Sequence, residues 1–100
     1  MKSSNEVISI LKNEYSFLMS EFGVKKIGVF GSIVKGTQTV ESDIDLVVEL
    51  DQPLGLKFFE LRKYLEKLFG KNVDVLTKDG IENIRVKSVA EGIKRNIIYV

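Results

Sequence analysis

The segment from Asp43 to Leu50, with the sequence DIDLVVEL, restricts the fold of this chain more than any other feature. Successive side chains of a β-strand point to opposite faces of a sheet. Asp43 and Asp45 are therefore expected on one face, and Ile44 and Leu46, which alternate with them, are expected on the other. The pattern predicts a strand with one apolar face and two carboxylates on the opposite face, where the strand begins.

Other segments predict the rest of a small mixed domain. Ser3 and Glu6 have the spacing of a capping box, which predicts a helix that begins there and ends at Gly23. Further elements are predicted as strands over 26–30 and 72–77, a turn of helix over 33–35, a polar loop over 37–42, and helices over 56–69 and 81–97. This order predicts an α/β (α+β) fold, with residues 1–100 forming one domain on a small sheet.

The composition excludes several kinds of chemistry. The chain has 100 residues with no Cys and no His, which excludes disulfides, a thiol nucleophile, a histidine base and a cysteine–histidine zinc site. A bound metal would need oxygen ligands. With 15 Lys+Arg against 14 Asp+Glu, the chain lacks the basic excess expected of a DNA-binding protein. No apolar segment is long enough to cross a membrane, so a cytoplasmic location is expected.

Three aspartates are expected to meet on one sheet face. In the strand over 72–77, Asp74 points away from the face that carries Val73 and Val75, so it can join Asp43 and Asp45 if the two strands are neighbours. No Arg or His is expected nearby to offset their charges. Mg²⁺ prefers carboxylate and phosphate oxygens, and two such ions can assist displacement at phosphorus. The carboxylates therefore predict a metal-assisted phosphoryl or nucleotidyl transfer site.

A glycine–serine turn is expected to bind the phosphates. Gly31 and Ser32 follow a predicted strand and precede a helical turn, whose first backbone N–H groups can bind an anion. Lys35 lies one turn later and could add a positive charge. By contrast, Phe58 and Phe59 are expected in the core, because they fall within a helical apolar pattern.

These residues resemble a known signature. Gly31-Ser32, followed after ten residues by Asp43-Ile-Asp45, resembles the motif of the DNA polymerase beta-like nucleotidyltransferase superfamily. The short chain and the segments over 65–70 and 72–77 are similar to the minimal nucleotidyltransferases, which are antitoxin partners of HEPN-domain ribonuclease toxins. The resemblance implies a palm-like fold with a small mixed sheet and helices packed mainly on one face.

The resemblance also implies an activity and a set of site residues. Asp43, Asp45 and Asp74 would bind two Mg²⁺ ions and act catalytically. Gly31, Ser32 and Lys35 would bind ATP. The implied reaction moves AMP from ATP to a tyrosine hydroxyl of a HEPN-type partner protein in a hetero-oligomer.

One departure and two alternatives accompany this interpretation. Many members of the superfamily have arginines where this chain has Ile33 and Lys35, and lysine lacks the bidentate geometry of arginine. One alternative is a non-catalytic antitoxin that neutralises its partner by binding alone. The other is a dimeric nucleotidyltransferase that modifies a small hydroxylated molecule.

Overall fold

The structure is a computed structural model that describes residues 3–36 and 43–100, without the side chain of Ser32. The predicted loop over 37–42 lies outside the described residues. The elements in chain order are α1 (Ser4–Phe22), β1 (Val24–Phe30), α2 (Ser32–Lys35), β2 (Ile44–Leu50), α3 (Lys57–Phe69), β3 (Val73–Thr77), α4 (Lys78–Glu82), α5 (Lys87–Arg95) and β4 (Ile98–Tyr99).

Helix α1 begins and ends where the sequence predicts. The backbone N–H of Glu6 donates to Ser3 Oγ at 3.2 Å, and the Glu6 carboxylate accepts from the Ser3 backbone, so the predicted capping box is confirmed. Gly23 ends the helix with a φ of 67°, in the left-handed region that glycine adopts without strain.

The four strands form one mixed sheet in the order β3-β2-β1-β4. Strand β1 is antiparallel to both β2 and β4, whereas β2 and β3 are parallel. A parallel pair needs a crossover connection, and α3 provides it between β2 and β3. Consequently β2 and β3 begin at the same end of the sheet.

The long helices cover one face of this sheet. The larger hydrophobic cluster joins α1 and α3 to that face and includes Leu11, Leu65 and Leu46. A smaller cluster on the opposite face includes Phe30, Val47 and Ile81 and is covered by α4 and α5. Within the described residues, no helix combines the length and apolar character needed to cross a membrane.

The prediction of one continuous last helix is wrong. Residues 81–97 form parts of two helices, because Asn83 ends α4 and Val86 adopts an extended backbone with φ −88° and ψ 103°. The apolar terminal segment then pairs with β1 as β4. Gly28 permits this close approach, since a Cβ there would lie 2.7 Å from Ile97 Cγ2.

Candidate active site

Two of the three predicted aspartates lie side by side. The parallel register pairs Asp45 of β2 with Asp74 of β3. Their neighbours Ile44 and Val73 are buried in the larger core cluster on the other face. The alternation of side chains along both strands therefore directs both carboxylates to the face that carries α4 and α5, as the sequence predicts.

The Asp45 carboxyl group is held in an unfavourable electrostatic environment. Partial burial, the charge of Asp74, a hydrogen bond to Asp74 and the charge of Asp43, in decreasing order of effect, together raise its pKa from 3.8 to about 6. A hydrogen bond between two carboxyl groups requires that one of them carry a proton. The neighbouring Asp74 therefore opposes ionisation of the Asp45 carboxyl group.

Asp43 lies close enough for its charge to raise the pKa of Asp45, with the smallest effect of the causes named above. It precedes β2 and is partly buried. Among residues 3–36 and 43–100, no three acidic side chains are gathered closely enough to surround one metal ion. The structure thus brings Asp45 and Asp74 together, with Asp43 beside them. The assignment of all three as metal ligands stays a prediction.

The donor atoms present nevertheless suit Mg²⁺. Carboxylate oxygens are the protein ligands that Mg²⁺ prefers, and it commonly binds one or two carboxylates together with water and substrate phosphates. Asp45 and Asp74 supply two such groups, and a cation between them would take the place of the proton in their hydrogen bond. The residues present therefore fit a magnesium ion.

The glycine of the predicted turn packs directly on one of these carboxylates. Gly31 follows the position in β1 that pairs with Asp45 and has a φ of 78°. A Cβ at this position would lie 2.9 Å from Asp45 Cγ and closer still to Oδ2. Only glycine leaves room for the carboxyl group here, so the turn and the aspartate pair form one site.

The described part of the turn also places a lysine beside a cavity. Ser32 begins α2, one residue before the predicted helical turn over 33–35, and its side chain lies outside the described part of the structure. Gly31 and the exposed Lys35 line a cavity of about 300 Å³, together with Gly92 and Asn96 from α5 and its end. This cavity lies on the β1 side of the aspartate pair.

One of the two residues that depart from the superfamily pattern is a core residue in this chain. Ile33 is 6% exposed and belongs to the larger core cluster. Its side chain therefore packs against the sheet rather than lining the cavity beside Lys35.

Two residues missed by the sequence analysis lie on the opposite side of the pair. Phe59 and Arg62 of α3 share a cleft of about 310 Å³ with Asp45 and Asp74. The expectation that Phe59 is a core residue is wrong, because its side chain is 59% exposed. Arg62 lines this cleft but is not among the groups that shift the pKa of Asp45. The expectation that no arginine offsets the charges of the aspartates is therefore not contradicted. The signal was present in the sequence, since Phe59 and Arg62 are three residues apart and share a helix face beside the apolar stripe.

Comparisons with known proteins identify the family. The family described as "Nucleotidyltransferase domain" matches residues 6–100. The protein adenylyltransferase MntA of Thermococcus cleftensis is 39% identical over 101 residues, which cover 100% of this chain and 98% of that protein.

Solved structures share the fold. One described provisionally as a minimal nucleotidyltransferase superimposes with a TM-score of 0.73 at 24% identity, covering 97% of this chain and 95% of that one. A toxin–antitoxin crystal structure with AMP-PNP matches with a TM-score of 0.65 at 21% identity, covering 98% of this chain and 72% of that chain. The prediction of a palm-like mixed α/β fold is confirmed. On its sequence match the chain belongs to the nucleotidyltransferase domain family and is an enzyme, and it shares the fold of the solved minimal nucleotidyltransferase.

Proposed function

We propose that this nucleotidyltransferase is a Mg²⁺-dependent protein adenylyltransferase that moves AMP from ATP to a tyrosine hydroxyl of a HEPN-type partner. The relative from T. cleftensis is named a protein adenylyltransferase. The structural neighbour with AMP-PNP is a toxin–antitoxin complex. Both names support an ATP-dependent enzyme that acts within a pair of proteins.

The aspartate pair is the observation that carries this proposal. Asp45 and Asp74 lie in register on adjacent parallel strands, and partial burial together with the neighbouring Asp74 raises the pKa of Asp45 to about 6. A structural role would be served better by uncharged residues, since like charges at this separation destabilise the fold. The unfavourable free energy of placing two carboxylates together is explained if the pair binds a divalent cation and triphosphate during catalysis.

In the proposed reaction, the chain's residues position two substrates. The turn at Gly31 and Ser32, with Lys35, binds the β- and γ-phosphates. The acceptor oxygen forms a bond to the α-phosphorus of ATP, and the bond from that phosphorus to the bridging oxygen breaks, so pyrophosphate leaves with the bonding electron pair. The carboxylate of Asp74 accepts the proton of the hydroxyl and later releases it to water. Most of the rate enhancement would come from positioning and charge neutralisation.

Asp43, Asp45 and Asp74 are the residues proposed to hold Mg²⁺. The ion, when bound, would neutralise negative charge on the phosphates and on the departing pyrophosphate. Partial burial of Asp45 strengthens this role, because electrostatic interactions are stronger where water is partly excluded and the effective dielectric constant is lower.

A separate protein is the proposed acceptor because the cavities beside the aspartate pair are small. They measure about 300 and 310 Å³. A protein that docks against the open edge of the site could present a side chain to the α-phosphate without being enclosed.

Mass spectrometry of the partner tests this proposal. The purified chain, a HEPN-domain protein encoded by the same organism, ATP and Mg²⁺ are incubated together, and the partner is expected to gain the mass of one or more AMP units on tyrosine. Asp45→Ala is expected to abolish the gain. The matched control Asp51→Ala alters an exposed aspartate of a surface ion pair and should retain activity. A tight complex without any mass gain would contradict the transferase proposal and favour neutralisation by binding alone.

A further inference from the structure

The carboxylate pair lies between two separate cavities. One cavity is lined by Gly31 and Lys35 on the β1 side, and the other by Phe59 and Arg62 beyond β3. Phe30 lines both cavities, so they adjoin at this residue. A group-transfer enzyme needs two substrates to meet at one centre, and this arrangement offers one cavity to each.

The strand order assigns a side to each cavity. The sheet runs β3-β2-β1-β4, so a line across its end passes from the turn at Gly31, through Asp45 and Asp74, to α3. If the turn binds the phosphates, as proposed above, the second substrate approaches from the β3 side. Asp74, the proposed proton acceptor, is the carboxylate on that side.

The second cavity has an unusual lining for a site beside two carboxylates. Phe59 is 59% exposed, although a large apolar side chain usually gains stability from burial. The partly buried Phe58 lies next to it in the same cavity. Two aromatic rings at the entrance would favour a flat apolar group over a small aliphatic alcohol or water.

Arg62 gives the same cavity a planar positive charge. Its Nε lies 3.8 Å from Glu66 Oε2, beyond hydrogen-bond distance, and its side chain is 47% exposed. A guanidinium group stacks readily on the face of an aromatic ring. Arg62 and Phe59 are one helical turn apart on α3, so a ring could lie against both.

We propose that Phe59 and Arg62 form a slot that binds the aromatic ring of the acceptor tyrosine and places its hydroxyl beside Asp74. This proposal rests on the adenylyltransferase function given above and assigns residues that determine acceptor specificity. It commits the cavity beyond β3 to the acceptor rather than to the base of ATP.

Steady-state kinetics separate the slot from a structural role. Phe59→Ala is expected to raise the KM for the HEPN partner by about tenfold, because the variant loses roughly one aromatic contact with the acceptor. Arg62→Gln is expected to raise the same KM, and Arg62→Lys is expected to raise it less. In all of these variants, kcat and the KM for ATP should stay within about twofold of the wild-type values. Leu56→Ala, which truncates an exposed apolar residue just before α3, and Lys63→Gln, which removes the adjacent charge, are matched controls and should leave all three constants unchanged.

An NMR titration tests the slot without catalysis. The isotope-labelled chain, at 11.3 kDa, is small enough for well-resolved amide spectra. N-acetyl-tyrosinamide is expected to shift the Phe59 amide and the Arg62 side-chain resonances, while N-acetyl-serinamide should leave them in place. Absence of a shift with the tyrosine probe would overturn the slot.

The outcomes distinguish the two proposals. If AMP is transferred but Phe59→Ala leaves the partner's KM unchanged, or raises the KM for ATP instead, the slot is wrong and the transferase function stands. If no AMP is transferred but the tyrosine probe still shifts the Phe59 and Arg62 resonances, the transferase proposal fails while the aromatic-binding site is supported.

Discussion

Replacing Asp45 with asparagine is expected to stabilise the protein when no divalent cation is present. The folded structure raises the pKa of Asp45 from 3.8 to about 6, so ionising this carboxyl group costs more in the folded state than in the unfolded state. A shift of this size corresponds to roughly 3 kcal/mol before screening. Since the carboxyl group is only partly buried, solvent reduces the effect to about 1 kcal/mol. In a domain of this length, that change moves the melting temperature by about 4–8 °C.

The pH dependence identifies the cause of the gain. Between pH 3.8 and about 6, the folded protein binds more protons at Asp45 than the unfolded chain does, so stability falls as the pH rises through this range. Above about pH 6 the full penalty is present. The asparagine of Asp45→Asn cannot ionise at any of these pH values, and its amide can donate a hydrogen bond to Asp74. The variant should therefore melt higher than the wild type at pH 8 and close to it at pH 4.

Thermal unfolding by circular dichroism in EDTA at both pH values provides the measurement. Asp51→Asn is the matched control, because Asp51 is exposed and its ion pair with Lys25 spans 3.9 Å. Its melting temperature should change little at either pH. A fall in melting temperature for Asp45→Asn at pH 8, or an equal gain at pH 4, would refute the electrostatic account of the site.

Three further predictions concern the cation, the turn and the core. Adding MgCl₂ at pH 8 should raise the melting temperature of the wild type but not that of Asp74→Asn. The apparent affinity of the wild type for Mg²⁺ should fall by about tenfold per pH unit below the Asp45 pKa of about 6. An equal rise in the melting temperature of the variant would argue against this site. Gly31→Ala should abolish both transferase activity and the MgCl₂ effect, because its Cβ would collide with the Asp45 carboxyl group; an active variant would contradict that contact. Tyr64→Phe should lower the melting temperature by about 4–8 °C, because the Tyr64 hydroxyl donates a hydrogen bond to Glu14 at 2.7 Å between α3 and α1, and such a bond contributes about 1 kcal/mol. Tyr99→Phe, at an exposed tyrosine, is the control. Equal melting temperatures of the two variants would show that the hydrogen bond contributes nothing to stability.

The local elements could be predicted because they depend on nearby residues. The capping box at Ser3 and Glu6 and the glycine at the end of α1 are short-range signals, and the structure has both. The alternation of Asp45 with its apolar neighbours likewise assigns the carboxylate to one face, whatever the rest of the fold. The break between α4 and α5 could not be found this way, because apolar residues continue at helical spacing across it.

Which residues meet at the site was decided by the tertiary structure. Periodicity predicts the face of Asp74 but not that β3 is the parallel neighbour of β2, which depends on how α3 packs across the sheet. The same packing brings Phe59 and Arg62 beside the aspartates. The chemistry available to the protein follows directly from its amino-acid composition and motifs, namely carboxylates without histidine or cysteine and a glycine–serine turn. The positions of those groups relative to one another follow from contacts between distant segments, which no local pattern encodes.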